Sequence, residues 1–128
     1  MNDTIIKHLS KSDIIYSAKN KQNFCGTALI EDQEEFPPGT LPRSVYVKFE
    51  NGAYTKWHWH TGTQILLIEQ GVGFVEQKGC PPFNVEQGGR ILIPENVWHR
   101  HGAIKGGMMV HLAITNGETV WDTEDPCE

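Results

Sequence analysis

Residues 52–71 decide the fold class, and they read GAYTKWHWHTGTQILLIEQG. Apolar and polar side chains alternate along much of this stretch, and a period of two is typical of a β-strand with one buried face. His58 and His60 then project from one face of the strand, while the tryptophans beside them project from the other. The stretch therefore predicts a strand that presents two imidazoles on the same side.

Short β-rich runs separated by turn residues continue along the rest of the chain. The predicted strands cover residues 24–30, 44–49, 53–60, 64–69, 72–77, 90–93 and 108–114. Asn51-Gly52 is a strong turn signal, and Gly71 predicts a second turn. No segment after residue 40 keeps the 3.6-residue period of a helix. The pattern indicates an all-β protein, an antiparallel sandwich or barrel, rather than a helical bundle.

Length and charge limit the classes of function. The chain has 128 residues and a formal net charge of −5, which suits one soluble domain. A nucleic-acid or anionic-membrane binder needs a basic face, so the acidic balance argues against both. No apolar run approaches the roughly 18 residues of a spanning helix. We therefore expect neither nucleic acid nor membrane as a partner.

The number and spacing of the cysteines indicate the redox state of the cellular compartment in which the protein is expected. Cys25, Cys80 and Cys127 are odd in number, far apart and in no Cys-x-x-Cys pair. This pattern predicts free thiols in a reducing compartment, with Cys25 and Cys80 packed as small apolar residues. The N-terminus also lacks the apolar core of a signal peptide. We therefore expect a cytoplasmic protein.

Five of the six histidines lie between positions 58 and 111, and their spacing predicts a metal site. Gln64 follows the pair His58 and His60 across a short turn, which can return its amide oxygen to the pair. His99 follows a glycine–proline segment and can approach from another strand. Neutral imidazoles and an oxygen ligand suit a divalent transition metal such as Mn, Fe, Ni or Zn. The alternative interpretation is that each histidine is an ordinary polar residue of a strand, either hydrogen-bonded or exposed.

Two segments resemble the two sequence motifs of the cupin superfamily. The pattern G-x5-H-x-H-x3-Q-x6-G over residues 52–71 resembles the first motif, and G-x5-P-x-N-x2-H over residues 88–99 resembles the second. The resemblance covers residues 40–115. It implies a single-domain jelly-roll β-barrel, a metal held by inward-facing side chains, and a homodimer.

The resemblance also suggests how the chain is divided. Residues 36–128 would form the barrel, with the motifs in the part from about 40 to 115. Residues 1–35 would form an N-terminal arm or edge strands, which can add to the sheet of a partner subunit. Between them, the acidic stretch 31–39 carries two prolines and predicts a solvated loop.

The chain departs from the cupin motifs at three positions. Gln64 stands where the family has a glutamate ligand, Asn96 replaces a glycine, and Ala103 replaces an asparagine. Asparagine tolerates the left-handed backbone that glycine would supply. A neutral glutamine leaves the +2 charge of the ion uncompensated. The ion should therefore be a better Lewis acid and should bind more weakly.

A closer resemblance extends the site. The first motif, together with HRHGA at 99–103 and MVHLAI at 109–114, is similar to small bacterial cupins that include manganese-dependent hydroxynitrile lyases. This resemblance implies four metal ligands, namely His58, His60, Gln64 and His99. It also implies His111 as the proton-transfer residue and His101 as a cavity residue near it. Mn is then the first choice of metal, with Fe, Ni or Zn as alternatives.

The remaining histidines have ordinary explanations too. His111 lies among apolar residues, where a hydrogen-bonded core histidine is also at home. His101 shares the strand face of His99 only if that strand stays regular. His8 lies outside the cluster and is expected on the surface.

Three functions follow as hypotheses. The first is a metal-dependent enzyme that acts on a small organic molecule by Lewis-acid and histidine catalysis, as a hydroxynitrile lyase-like carbon–carbon lyase. The second is an iron-dependent cupin dioxygenase. The third is a non-catalytic cupin that binds or senses a small ligand. Each takes a small molecule as its partner.

Overall fold

A computed structural model describes residues 6–32, 36–37 and 39–128. Within these ranges the regular structure consists of β-strands and two 3-10 turns, at Lys11–Asp13 and Lys21–Asn23. The strands are β1 (Tyr16–Ser17), β2 (Phe24–Cys25), β3 (Ala28–Glu31), β4 (Arg43–Phe49), β5 (Tyr54–Thr55), β6 (His58–His60), β7 (Gln64–Gln77), β8 (Phe83–Glu86), β9 (Arg90–Ile93), β10 (His99–Ala103), β11 (Met109–Thr115) and β12 (Thr119–Trp121).

The strands form one curled antiparallel sheet with two halves that share β7. The first half has the order β1-β3-β4-β11-β7-β9. The second has the order β2-β5-β10-β7-β8, and β6 pairs with both β10 and β12. The prediction of an all-β antiparallel barrel is confirmed.

The long strand β7 passes through Gly71, where a turn was expected, so that prediction is wrong. Gly71 has a φ of +78°, and a side chain there would clash with the carbonyl oxygen of Met108. Gln70 pairs with β11 on one side, and Val72 pairs with β8 on the other. The glycine therefore bends the strand from one half of the sheet into the other without ending it.

Two other predicted strands are divided. The run 24–30 breaks at Gly26, whose φ is +91°, and gives β2 and β3. The run 53–60 breaks after Thr55 and gives β5 and β6, which both pair with β10. The Asn51-Gly52 turn is confirmed, because both residues have the positive φ of a tight hairpin turn, 49° and 77°.

Apolar residues and histidines share the interior. Phe49, Leu66 and Met109 are fully buried, and so are His58, His99 and His111. Half of the largest fully buried side chains are thus imidazoles, which bury polar nitrogens that need partners. The barrel interior is therefore built around a polar cluster.

A disulfide joins Cys25 to Cys127, so the prediction of free thiols is wrong for both residues. The partners are 102 residues apart in sequence, and their proximity depends on Tyr54. Cys25 pairs with Tyr54 across the sheet, and the Tyr54 hydroxyl accepts the backbone N–H of Glu128. Cys80 is free and exposed rather than packed. The cytoplasmic location relied partly on free thiols and stays a prediction.

The N-terminal region contributes strands to the same sheet. β1 pairs with β3, and β3 pairs with β4. Glu31, expected in a solvated loop, instead ends β3 and is 3% exposed. Its Oε1 accepts the backbone N–H of Tyr46, which explains the burial. Residues 33–35 and 38 of the expected loop lie outside the described residues. Within the described chain, no helix is long and apolar enough to cross a bilayer.

Candidate metal centre

Three histidines form the centre of the site. His58 and His60 project from β6, and His99 starts β10, directly opposite His58 in the strand pairing. One ligand nitrogen of each ring lies within 4.8 Å of those of the other two. All three side chains are buried. Strand alternation and the β6–β10 pairing together bring the three rings to one point.

Hydrogen bonds fix which nitrogen of each ring faces the site. Nδ1–H of His58 donates to the carbonyl oxygen of Lys56, and Nδ1–H of His99 donates to that of Val97, each over 2.8 Å. A carbonyl can only accept, so Nε2 of a neutral ring keeps its lone pair. Both rings are therefore held in the form that can bind a metal through Nε2.

His60 has a similar arrangement with a hydroxyl partner. Its Nδ1 lies 2.9 Å from Oγ1 of Thr119 in β12. Its Nε2 is buried and has no hydrogen-bond partner among the described residues. A buried nitrogen without a partner is costly, and a bound cation would satisfy it.

Gln64 adds an oxygen to the three nitrogens. Its Nε2 donates to Oγ1 of Thr115 over 2.9 Å, so the amide orientation is set by β11. Its Oε1 lies 3.3 Å from Nε2 of His99. The donor set of the site is thus one amide oxygen and three imidazole nitrogens, all of which accept. Such a set fits a divalent transition metal.

Burial keeps the three rings neutral. It is the main cause that lowers the pKa of His60 to about 4, with the charges of His99 and Arg43 adding to the effect and the nearby acceptor oxygen of Gln64 opposing it. Burial and then the charge of His99 place the pKa of His58 well below its ordinary value, and burial also lowers the pKa of His99. At neutral pH all three rings therefore offer lone pairs.

His101 and His111 form a second buried pair beside this centre. Nδ1 of His101 lies 3.1 Å from Nε2 of His111 and links β10 to β11. The His101 ring stacks on His99, with centroids 5.6 Å apart and planes at 17°, so the two share a strand face. Burial lowers the pKa of His111 to about 4, and burial followed by the charge of His111 places the pKa of His101 well below its ordinary value. His8 is exposed, as expected.

A cavity of about 310 Å³ reaches the centre from the barrel interior. His58 and Gln64 line it, whereas His101 and His111 do not. Trp121 of β12 lines it too and packs on His58, with ring centroids 4.3 Å apart. Phe49, which also lines the cavity, lies edge-on against His111 at 5.2 Å.

The sequence predicts six site residues, and the structure brings all of them into one buried region. The sequence does not predict the residues that support them, namely Arg43, Thr115, Thr119 and Trp121. Thr119 and Trp121 are two residues apart and therefore share a strand face, and this spacing is the signal from which β12 could have been predicted. That strand lies beyond the last predicted one, and its three residues are too few for a periodic pattern.

Comparison with known proteins agrees with this geometry. The family model described as "Cupin domain" matches residues 45–115, which is more than half of the chain. The chain belongs to the cupin family. The family resemblance of the two motifs is thereby confirmed.

Relatives of this cupin include one with a named activity. The (R)-mandelonitrile lyase of Granulicella tundricola is 33% identical over 91 residues, which cover 71% of this chain and 70% of the relative. A solved structure of a cupin-like protein from Thermotoga maritima is 30% identical, with a TM-score of 0.71, covering 94% of this chain and 88% of that one. The polyketide cyclase of Streptomyces resistomycificus reaches a TM-score of 0.77 at 16% identity over 95% and 90% of the chains, and that likeness concerns the fold alone.

Proposed function

We propose that this cupin is a metal-dependent enzyme that cleaves a carbon–carbon bond in a small hydroxylated molecule, in the manner of a hydroxynitrile lyase. The observation that carries the proposal is the convergence of three imidazole lone pairs and the Gln64 oxygen beside a cavity that His58 and Gln64 line. The likeness to an (R)-mandelonitrile lyase supports the class of reaction.

The metal would be held by His58, His60, Gln64 and His99, with Mn as the first choice and Fe, Ni or Zn as alternatives. When bound, it would supply a positive charge that stabilises the negative charge developing on the substrate oxygen. The hydrogen bonds that His58, His99 and Gln64 donate to Lys56, Val97 and Thr115 hold the metal-facing atoms in place. Fixed donors reduce the reorganisation that binding would otherwise require.

His101 and His111 would handle the proton. Nε2 of His101 is buried and has no hydrogen-bond partner among the described residues. The His101 ring does not line the cavity, but its centroid lies 5.3 Å from that of His58, which does, so His101 would accept the hydroxyl proton of a substrate oxygen held beside His58. The bond between His101 Nδ1 and His111 Nε2 lets the pair share the added charge. When the carbon–carbon bond breaks, its electron pair leaves with cyanide, which takes the proton back from the histidine.

Metal binding is tested first. Elemental analysis of the purified full-length protein should find about one transition metal per chain. His99→Ala should lose that metal, whereas His8→Ala should keep it, because His8 is the exposed histidine outside the cluster. Equal metal content in both variants, or none in the wild type, would contradict the proposed centre.

Catalysis is tested with mandelonitrile and the Mn-loaded protein. His111→Gln places an amide group near the position of Nε2, so it can still hydrogen-bond to His101, yet it cannot carry the proton. We expect turnover to fall about 10²- to 10⁴-fold while the metal content stays full. An unchanged turnover would rule out the role of His111.

An iron-dependent dioxygenase is the second candidate, because three imidazoles and an amide oxygen also accept Fe²⁺. The two functions differ in their use of oxygen. Consumption of O₂ by the iron-loaded protein with an organic substrate would favour the dioxygenase. Full activity without air would favour the lyase.

A further inference from the structure

Arg43 lines the same cavity as His58 and Gln64, and its charge has no acidic partner among the described residues. Its guanidinium donates to the carbonyl oxygen of Gly117 and to Oγ1 of Thr119, the latter over 3.5 Å, and both acceptors are neutral. The ion pairs formed by the described residues involve Lys11, Lys48 and Arg100, not Arg43. The side chain of Arg43 is therefore a half-buried cation on the wall of this cavity.

Arg100 shows how the same chain neutralises a buried guanidinium. Its Nε lies 2.8 Å from Glu76, and its terminal nitrogen lies 3.3 Å from Glu128. Burying a charge is costly unless it is paired, and Arg100 is paired twice. The absence of such a partner at Arg43, within the described part of the chain, leaves a place for an anion from outside.

The guanidinium has donors to spare. It carries five N–H groups in a planar fork, and the two hydrogen bonds to Gly117 and Thr119 use two of them. The geometry of the fork matches the two oxygens of a carboxylate better than a single oxygen. Arg43 can therefore hold its present partners and a carboxylate at the same time.

The charges around the cavity have a positive excess. Lys19 and Arg43 line it, and Glu31 is the acidic residue in the lining. Oε1 of Glu31 already accepts the backbone N–H of Tyr46 over 2.9 Å. The metal ligands add no negative charge, since Gln64 stands among three neutral imidazoles. The cavity is therefore set up to attract an anion.

Aromatic side chains form the other walls. Phe24 lies 6.0 Å from Phe49 and 6.2 Å from Trp121, measured between ring centroids, and all three rings line the cavity. The three rings give the cavity an apolar aromatic wall on which the ring of a ligand can pack. A volume of about 310 Å³ is at the small end of ligand cavities.

We propose that this cavity binds a small aromatic carboxylate, with the carboxylate on Arg43 and the ring against Phe24 and Trp121. The inference rests on the proposed function only in taking the cavity for the substrate site. It assigns Arg43 as the residue that determines specificity. The natural substrate would then carry a carboxylate in addition to the group that reacts near His58 and Gln64.

Benzoate and benzamide test the proposal, because the two molecules have nearly the same shape and differ in charge. Calorimetric titration of the full-length protein, with and without added Mn, should show benzoate binding at least tenfold more tightly than benzamide. Arg43→Gln should remove about tenfold or more of the benzoate affinity and leave benzamide unchanged. That loss is the size expected for a charge-assisted hydrogen bond.

Arg90→Gln is the matched control, since Arg90 is exposed on β9 and the substitution changes the net charge equally. It should bind benzoate like the wild type. An Arg43→Gln variant that weakens both probes equally would reveal a purely structural role and overturn the proposal. Unchanged benzoate binding in that variant would overturn it too.

Arg43→Lys covers the case in which Arg43→Gln does not fold. Lysine keeps the charge but loses the fork, so we expect the ratio of benzoate to benzamide affinity to fall at least threefold. An unchanged ratio would overturn the proposal. Metal content separates the two ideas: benzoate binding that depends on Arg43 in a protein that binds no metal would support this inference and refute the proposed function.

Discussion

Oε1 of Gln64 lies 3.3 Å from Nε2 of His99, although neither atom has a proton to share. The Gln64 amide nitrogen donates to Thr115, which leaves its oxygen facing the ring, and the His99 proton is donated to Val97 on the other side. Two acceptors at this distance repel each other. A cation between them would turn the repulsion into attraction, which is why this pair supports a metal better than the histidine count does.

Gln64→Glu tests the role of charge in that pair. A carboxylate brings a negative charge to the donor set, so we expect Mn affinity to rise about tenfold at pH 7. Turnover should fall at the same time, because the added charge reduces the Lewis acidity of the ion. Competition titration against a chelator measures the affinity.

Gln87→Glu is the matched control for this change. It makes the same substitution in the turn after β8, where the side chain is exposed. Its Mn affinity should equal that of the wild type. Equal affinities for Gln64→Glu and the wild type would mean that position 64 does not contact the ion.

Part of the proposed ligand set was predictable from sequence, because the pairing of His58 with His60 depends on local geometry. Two residues that are two positions apart in a strand must share a face, which places His58 beside His60. Asn96 has a φ of 64°, so the left-handed turn expected before His99 is also present. The shared face of His58 and His60 and the turn at Asn96 each depend on a few neighbouring residues, so both can be recognised from the spacing of residues in the sequence.

The supporting residues depend on long-range pairing and could not be predicted in this way. Thr119 reaches His60 because β12 pairs with β6, and Arg43 reaches the same hydroxyl from β4. Likewise, Cys25 meets Cys127 only because the C-terminal tail and β2 both lie beside Tyr54. No periodic pattern in the sequence predicts these contacts, because each of them depends on strands that pair only in the folded sheet.

The stability of the metal-free protein should depend on pH through the buried histidines. The pKa of His60 and of His111 is lowered to about 4, below the ordinary value of 6.5. As the pH falls from 6.5 toward 4, the unfolded chain takes up protons that the folded protein does not. The free energy of unfolding should therefore fall in this window, by up to about 1.4 kcal/mol per pH unit for each such ring.

Urea unfolding at pH 7, 6 and 5 in the presence of a chelator measures this dependence. Below pH 4 the contribution of these rings should level off, because both states then bind the protons. His111→Asn removes one of the rings and should make the slope shallower. A stability that does not change between pH 6.5 and 4.5 would show that the rings are not held neutral.

The disulfide should contribute to stability without touching the metal ligands. It closes a loop across 102 positions of sequence, and a cross-link of this span restricts the unfolded chain strongly. We expect Cys127→Ser to lower the free energy of unfolding by about 2–4 kcal/mol. Cys80→Ser should have little effect, because Cys80 is exposed and unpaired. A reductant should lower the free energy of unfolding of the wild type to that of Cys127→Ser and leave that variant unchanged. If the reductant does not change the stability of the wild type, the disulfide is not formed in solution.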